Sequence, residues 1–178
     1  MKTVFVVILA LIIVGLAAGG LSVRKELLKE RKAVDAAWAQ VDATLQHRAD
    51  LIPNAAEMIK HLSKRESPVF QEIAKARNDL NNGKTPQERL AANDHLSIAL
   101  ARLLLLSENY PQLHSNRNFQ RVQDEIAEAE NRIAVERRKY NETLQHYNTS
   151  IQVFPNNIVA GVAGFHRNDA YFRTEPGG

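Results

Sequence analysis

The chain has 178 residues, 44% of them hydrophobic and 24% charged, which is enough for one ordinary domain with a real core and crowded for two. Its net charge of +3 is small and mixed with 20 acidic residues, so composition argues against a nucleic-acid partner. The absence of cysteine excludes disulfides, thiolate metal sites, cysteine nucleophiles and a lipidated N-terminal cysteine.

Behind a short N-terminus (residues 1–3), the run Val4 to Leu21, "VFVVILALIIVGLAAGGL", carries no charge, although the mean hydropathy of the whole chain is -0.33. At about 1.5 Å per residue it spans roughly 27 Å, close to the hydrocarbon core of a bilayer. A cleaved secretory signal is the rival reading: Lys2 gives a short basic n-region, and Ala18-Gly19-Gly20 supplies small residues near a cleavage position. The run is longer than the roughly 7 to 15 residues of a signal h-region, which favours a retained anchor. Arg24, Lys25, Lys29, Arg31 and Lys32 follow the run and only Lys2 precedes it. The positive-inside rule therefore predicts an external N-terminus and a cytoplasmic main domain. Gly15 and Gly19 form a GxxxG pair that offers a face for self-association of the anchor.

Past the anchor, residues 22–154 show apolar side chains at a helical period, without the β-branched runs of strands. The first stripe is Val34, Trp38, Val41, Leu45, then past Arg48 to Ile52, Ala55, Ile59 and Leu62. Its phase is unchanged across Pro53, which predicts one helix bent at the proline rather than two helices. Ser67-Pro68 reads as an N-cap with proline at the first helical position, so a break is expected near residues 65–67, followed by Val69, Ile73, Ala76 and Leu80. "NNGK" (residues 81–84) is a turn, and Thr85, Pro86 and Glu88 form a capping box that starts the next helix. That helix, residues 86–107, buries Leu90, Leu96, Ala99, Leu100, Leu103 and Leu104 and stops before Tyr110-Pro111.

The last helix starts near Asn116, with Phe119, Ile126, Ile133, Tyr140, Tyr147 and Phe154 seven apart and Val122, Ala129, Leu144 and Ile151 in a second row. About 37 residues of helix are expected. Such helices cover their stripes only against one another, which predicts an all-α, antiparallel up-and-down bundle behind a single transmembrane helix. The tail, residues 155–178, is rich in small residues and is expected to dock weakly or fray.

For chemistry the chain offers little. It has no nucleophile elbow, phosphate-binding loop or HExxH, and no catalytic residue, cofactor or metal is assigned to it. Glu57 with His61 and Glu142 with His146 are Glu-x-x-x-His pairs, a spacing that differs from the Glu-x-x-His of di-iron bundles, so a metal-binding bundle is only the alternative reading. Arg48 falls on the apolar stripe, where it either snorkels or pairs with an acid such as Asp50 or a glutamate of "DEIAEAE" (residues 124–130); a buried polar latch or a ligand contact, with Asp50 and the Glu/His pairs, is the functional alternative. "RRKYNETLQHYN" repeats Tyr-Asn at a seven-residue interval. It presents Tyr140 and Tyr147 on one face and Asn141 and Asn148 on the next, either as packing or as a repeated partner surface.

"AWAQVDATLQHRADLIPNAAEMIK" (residues 37–60), "ENYPQLHSNRNFQRVQDEIAEAENRIAVERRKYNETLQHYN" (residues 108–148) and "FPNNIVAGVAGF" together resemble the LemA family, over about residues 34–172. His47 stands where the family has the second arginine of a pair, and His114-Ser115 where "KAN" precedes the asparagine-phenylalanine now at Asn118-Phe119. The resemblance implies an N-terminal transmembrane helix with a small external N-terminus, a helical-bundle domain and a relation to a magnetosome-associated membrane protein, and it implies no established catalytic activity. The signature residues it marks are Arg48, Asp50, Pro53, Asn54, Tyr110, Pro111, Tyr140, Asn141, Tyr147 and Asn148. The resulting expectation is a single-pass protein of the bacterial inner membrane, embedded through residues 4–21, that acts as a scaffold for other envelope proteins and is able to self-associate. A membrane-shaping role, with the tail around Ile158 to Phe172 on the bilayer, is a further alternative.

Overall fold

Helices α1 (Lys2–Lys60), α2 (Pro68–Asn82), α3 (Pro86–Ser107), α4 (Pro111–His114), α5 (Arg117–Ser150) and α6 (Asn156–Ala163) make up the computed structural model, with no strand among the described residues 2–60 and 68–172. The all-α class follows directly. The side chains of Ile59, His61, Leu62 and Ser67 lie outside the described residues.

The 59-residue α1 joins the apolar N-terminal run to the first stripe without a break, and Pro53 lies inside it. Val4, Ile8, Leu11 and Val14 stand exposed on this helix. From Val34 onward the stripe turns inward: Val41, Leu45, Ile52 and Ala55 are fully buried, on both sides of the proline. The unbroken register read from the sequence is the register of the helix.

The chain forms two compact units, Met1–Ala37 with Tyr140–Tyr171 and Trp38–Lys139 with Phe172–Gly178. In the second unit the core comes from the stripes of α1, of α2 (Ile73, Ala76, Leu80), of α3 (Leu96, Leu100, Leu103) and of α5 (Phe119, Val122, Ile126, Ile133). Burying each of these larger side chains contributes about 1.5–3 kcal/mol, which is what holds helices of mostly ordinary propensity.

Helices α2 and α3 form a hairpin whose turn is set by Gly83. A Cβ there would lie 2.8 Å from Cγ of Arg89, so only glycine lets that arginine cross the turn. Arg89 then donates from Nη1 to the Leu80 carbonyl (2.9 Å) and pairs through Nε with Asp42 of α1. The Thr85–Glu88 capping box is fully formed, with Glu88 N donating to Thr85 Oγ1 and Thr85 N to Glu88 Oε2, both at 3.2 Å. At the far end of the hairpin Arg102 grips Glu72 at 2.7 and 2.8 Å. Asn116 caps α5 by accepting from the backbone of Asn118 and Phe119.

In the first unit the core is Leu27, Val34, Tyr140, Leu144, Tyr147, Ile151 and Ala160. Here the structure departs from the heptad reading. Helix α5 ends at Ser150, so the seven-residue row stops at Tyr147 and Phe154 is 76% exposed instead of seamed. A heptad row has meaning only while the backbone is helical, and the turn at residues 151–155 breaks it.

The tail also differs from expectation. Residues 156–163 form α6, closed by Gly164 at φ 73°, the left-handed conformation glycine adopts without strain, with Phe165 N donating to the Ala160 carbonyl. Within the second unit, Phe172 is buried: its ring stacks on Trp38 with centroids 6.0 Å apart, and the Arg137 guanidinium lies 5.3 Å from its centroid. An aromatic side chain held by stacking and a cation–π contact is a firm anchor for a terminal strand of chain that composition alone marks as loose.

Candidate functional site

Two polar clusters stand out, one in each unit. In the second unit, Arg48 occupies a stripe position of α1 between Leu45 and Ile52 and is 2% exposed. Its Nη1 donates to Ser97 Oγ (2.8 Å) and Asn93 Oδ1 (3.2 Å), both on α3, and its Nη2 lies 3.6 Å from Oε1 of Glu130 on α5. Ser97 Oγ in turn donates to the Asn93 carbonyl at 3.1 Å. One side chain thus ties three helices. Burial lowers the Arg48 pKa, an effect opposed by Glu130, deepened by Arg137 and opposed again by Asp94. Starting so far above neutrality, the guanidinium stays a cation.

Of the two acidic partners expected for Arg48, the glutamate of residues 124–130 is found in Glu130, and Asp50 is not the partner. Asp50 is exposed, accepts from Gln46 Nε2 (3.1 Å) and lies 3.6 Å from Arg77. Asn54 is exposed one turn further and Pro53 partly buried. The sequence reading missed Asn93, although its signal was present: it sits on the buried row Asn93, Leu96, Leu100, Leu103, Ser107, where a polar group needs a partner as Arg48 does. Tyr110 is partly buried and donates from its backbone to the Ser107 carbonyl (2.9 Å), while Pro111 is exposed and opens α4.

In the first unit the Tyr-Asn repeat faces inward. Tyr140, Tyr147 and Asn148 are buried and Asn141 partly so, which corrects the reading of the repeat as a surface for a partner helix. Its work is to hold the chain's own tail. Tyr147 OH donates to the His166 carbonyl at 3.1 Å. Asn148 Nδ2 donates to the Asn168 carbonyl (2.6 Å) and to Tyr171 OH (2.9 Å), and its Oδ1 accepts from Asn168 N (3.0 Å). Burial, with Asp35 nearby, raises the Tyr140 pKa; burial raises that of Tyr147 against an opposing effect of Arg31. Both phenols remain neutral, which keeps the Tyr147 hydroxyl a donor. Beside them lies an open cleft of ≈ 230 Å³ lined by residues including Arg31, Asp35, Tyr147, His166 and Asn168.

Of the Glu/His pairs, Glu142 and His146 line a cleft with Glu30, whose Oε1 lies 3.5 Å from His146 Nδ1 and accepts from Ser150 Oγ at 2.9 Å. The partner of Glu57, His61, lies outside the described residues. No group of three or more metal-ligating side chains with suitable geometry exists among the described residues. Gly15 and Gly19 are exposed, with open space where a Cβ would stand.

The family model of the LemA family matches residues 37–177. The chain belongs to the LemA family. Similar proteins include magnetosome proteins MamQ 2 and MamQ 1 of Paramagnetospirillum magneticum, each 34% identical over 106 residues, which cover 60% of this chain and 38% of the relative. Magnetosome protein MamQ of Magnetospirillum gryphiswaldense is 30% identical over 99 residues, 56% of this chain and 36% of the relative. The LemA chain therefore matches less than two fifths of the length of these curated relatives. The LemA match contains Arg48, its α3 and α5 partners, the Tyr-Asn repeat and most of the tail, and it begins after the exposed apolar turns of α1. With those turns, this LemA protein is a membrane-associated helical protein.

Proposed function

We propose that this LemA protein is a single-pass inner-membrane protein, N-terminus outside, whose helical domain is a non-enzymatic scaffold for other envelope proteins. The observation that carries this reading is the continuity of α1: one 59-residue helix holds both the exposed apolar run and the buried Arg48. Arg48, Tyr147 and Asn148 are buried, and the exposure of Asp50 and Asn54 on α1 supports that side of the helix as the partner surface. Self-association through Gly15 and Gly19 is supported by their open, exposed face.

Reporter fusions at the C-terminus test the orientation: an enzyme active only in the cytoplasm is expected to work, and one active only outside to stay silent. The reverse pattern removes the cytoplasmic scaffold. A photo-crosslinker at position 54 is expected to give defined adducts in cells that Asp50→Lys abolishes; adducts no different from those of a crosslinker at Gln145 would refute the assigned surface.

A further inference from the structure

The exposed large apolar side chains outside the N-terminal run are not evenly spread. Ile98, Leu105 and Val135 stand singly on helices dotted with charges, whereas Val153, Phe154, Ile158 and Val162 fall within ten consecutive residues, at 54%, 76%, 59% and 88% exposure. The segment that carries them, residues 151–165, has no charged residue. Ile158 and Val162 are one turn apart on α6, while Ala160 on another side of that helix is buried. An uncharged, one-sided apolar helix facing outward marks an interaction surface.

Its place in the first unit says what covers it. Helix α5 runs antiparallel to α1: Ser150 at its end reaches Glu30, while Tyr147, nearly one turn earlier, shares its cleft with the later α1 residues Arg31, Val34 and Asp35. The chain thus leaves α5 heading toward the apolar end of α1. It returns at His166, bonded by Tyr147, and Asn168, bonded by Asn148. The excursion of residues 151–165 thus starts and ends at the Glu30 end of the α1–α5 pair. Leu21, where that run ends, is nine residues from Glu30, or ~14 Å along the helix. The intervening Arg24, Lys25 and Lys29 are exposed and suit anionic headgroups.

We infer that α6 is a second membrane contact, lying in the plane of the bilayer interface with Phe154, Ile158 and Val162 in the acyl boundary beside the anchor. The surface belongs to the same compact unit as the apolar run and carries no charge, and lipid is the partner that suits it. This inference rests on the anchor reading above. A helix of this kind settles roughly 5–10 Å into the headgroup boundary, and it would fix the rotation of α1 in the membrane.

Because the chain has no cysteine, single nitroxide labels can be placed on the full protein at Ile13→Cys, Gln145→Cys, Ile158→Cys and Val162→Cys. The protein is reconstituted into phosphatidylcholine–phosphatidylglycerol vesicles, and collisions with oxygen and with an aqueous nickel chelate are measured. Labels at 158 and 162 are expected to collide several-fold less with nickel and more with oxygen than the label at 145, approaching the label at 13. If 158 and 162 match 145 while 13 is lipid-exposed, the inference fails and the anchor stands. If 13 is also aqueous, the anchor reading itself fails. Labels at 158 and 162 shielded from both agents mean a protein covers α6, which overturns the lipid assignment.

Discussion

The Arg48 cluster makes a prediction in which the smaller truncation does the greater damage. Asn93→Ala removes one acceptor but leaves a 2%-exposed guanidinium with Ser97 and a carboxylate at 3.6 Å. Taking one acceptor from a buried charged donor costs about 3 kcal/mol, at the upper end of the cost of an unmade hydrogen bond, because the ion keeps its desolvation penalty. Arg48→Met removes the ion itself and keeps most of its volume. Glu130 is 61% exposed and returns to water, Ser97 keeps its bond to the Asn93 carbonyl, and only the Asn93 side chain is orphaned, at about 1–3 kcal/mol. At roughly 2–4 °C per kcal/mol for a chain of this length, about 3 kcal/mol for Asn93→Ala is expected to lower Tm by about 6–12 °C, and about 2 kcal/mol for Arg48→Met by about 4–8 °C. The double variant should lose well under the sum, with at least ~1 kcal/mol of coupling. Thermal melts of the full chain in detergent, followed by far-ultraviolet circular dichroism, measure all four proteins. Additive losses, or a greater loss for Arg48→Met than for Asn93→Ala, would refute the argument that a buried cation governs this core.

Asn148→Ala deletes three hydrogen bonds at a buried position and should cost about 2–4 kcal/mol, read as faster trypsin cleavage at Arg167 with the helical content of α5 unchanged. Hydrogen bonds from the Lys84 and Thr85 backbone hold the Glu88 carboxyl below its ordinary value of 4.5. A depressed folded value means its contribution is present above about pH 4.5 and is lost as pH falls through the lowered one. The first turn of α3 should therefore gain amide exchange in that acid window, and Glu88→Gln should remove the pH dependence. Gly15→Leu with Gly19→Leu should reduce energy transfer between labelled copies in vesicles; unchanged transfer excludes that face as the contact.

The elements of this fold were legible wherever one helix face stayed buried along its whole length. The stripe through Pro53, the capping box at Thr85 and the row from Phe119 to Tyr147 are all local periodicities, and each matches its helix. Arg48 was legible for the same reason, since a charge on an apolar row demands a partner. What periodicity does not encode is which row answers it: Asn93 is one of several polar residues on α3 until the packing is known. The tail was misjudged because its stabilising contacts, Trp38 with Phe172 and Asn148 with Asn168, join positions far apart in sequence, and small residues carry no stripe.

The span between Arg48 and Glu130 also sets an order of assembly. During synthesis α1 leaves the ribosome first, when its stripe from Val34 to Ala55 has nothing to pack on. The α2–α3 hairpin closes locally and supplies Asn93 and Ser97, but the acidic partner is made 82 residues after the arginine. A nascent chain paused before α5 thus has a bare seam on α1 and a half-answered cation, and the last long helix to be made completes the set of charges that the first one began.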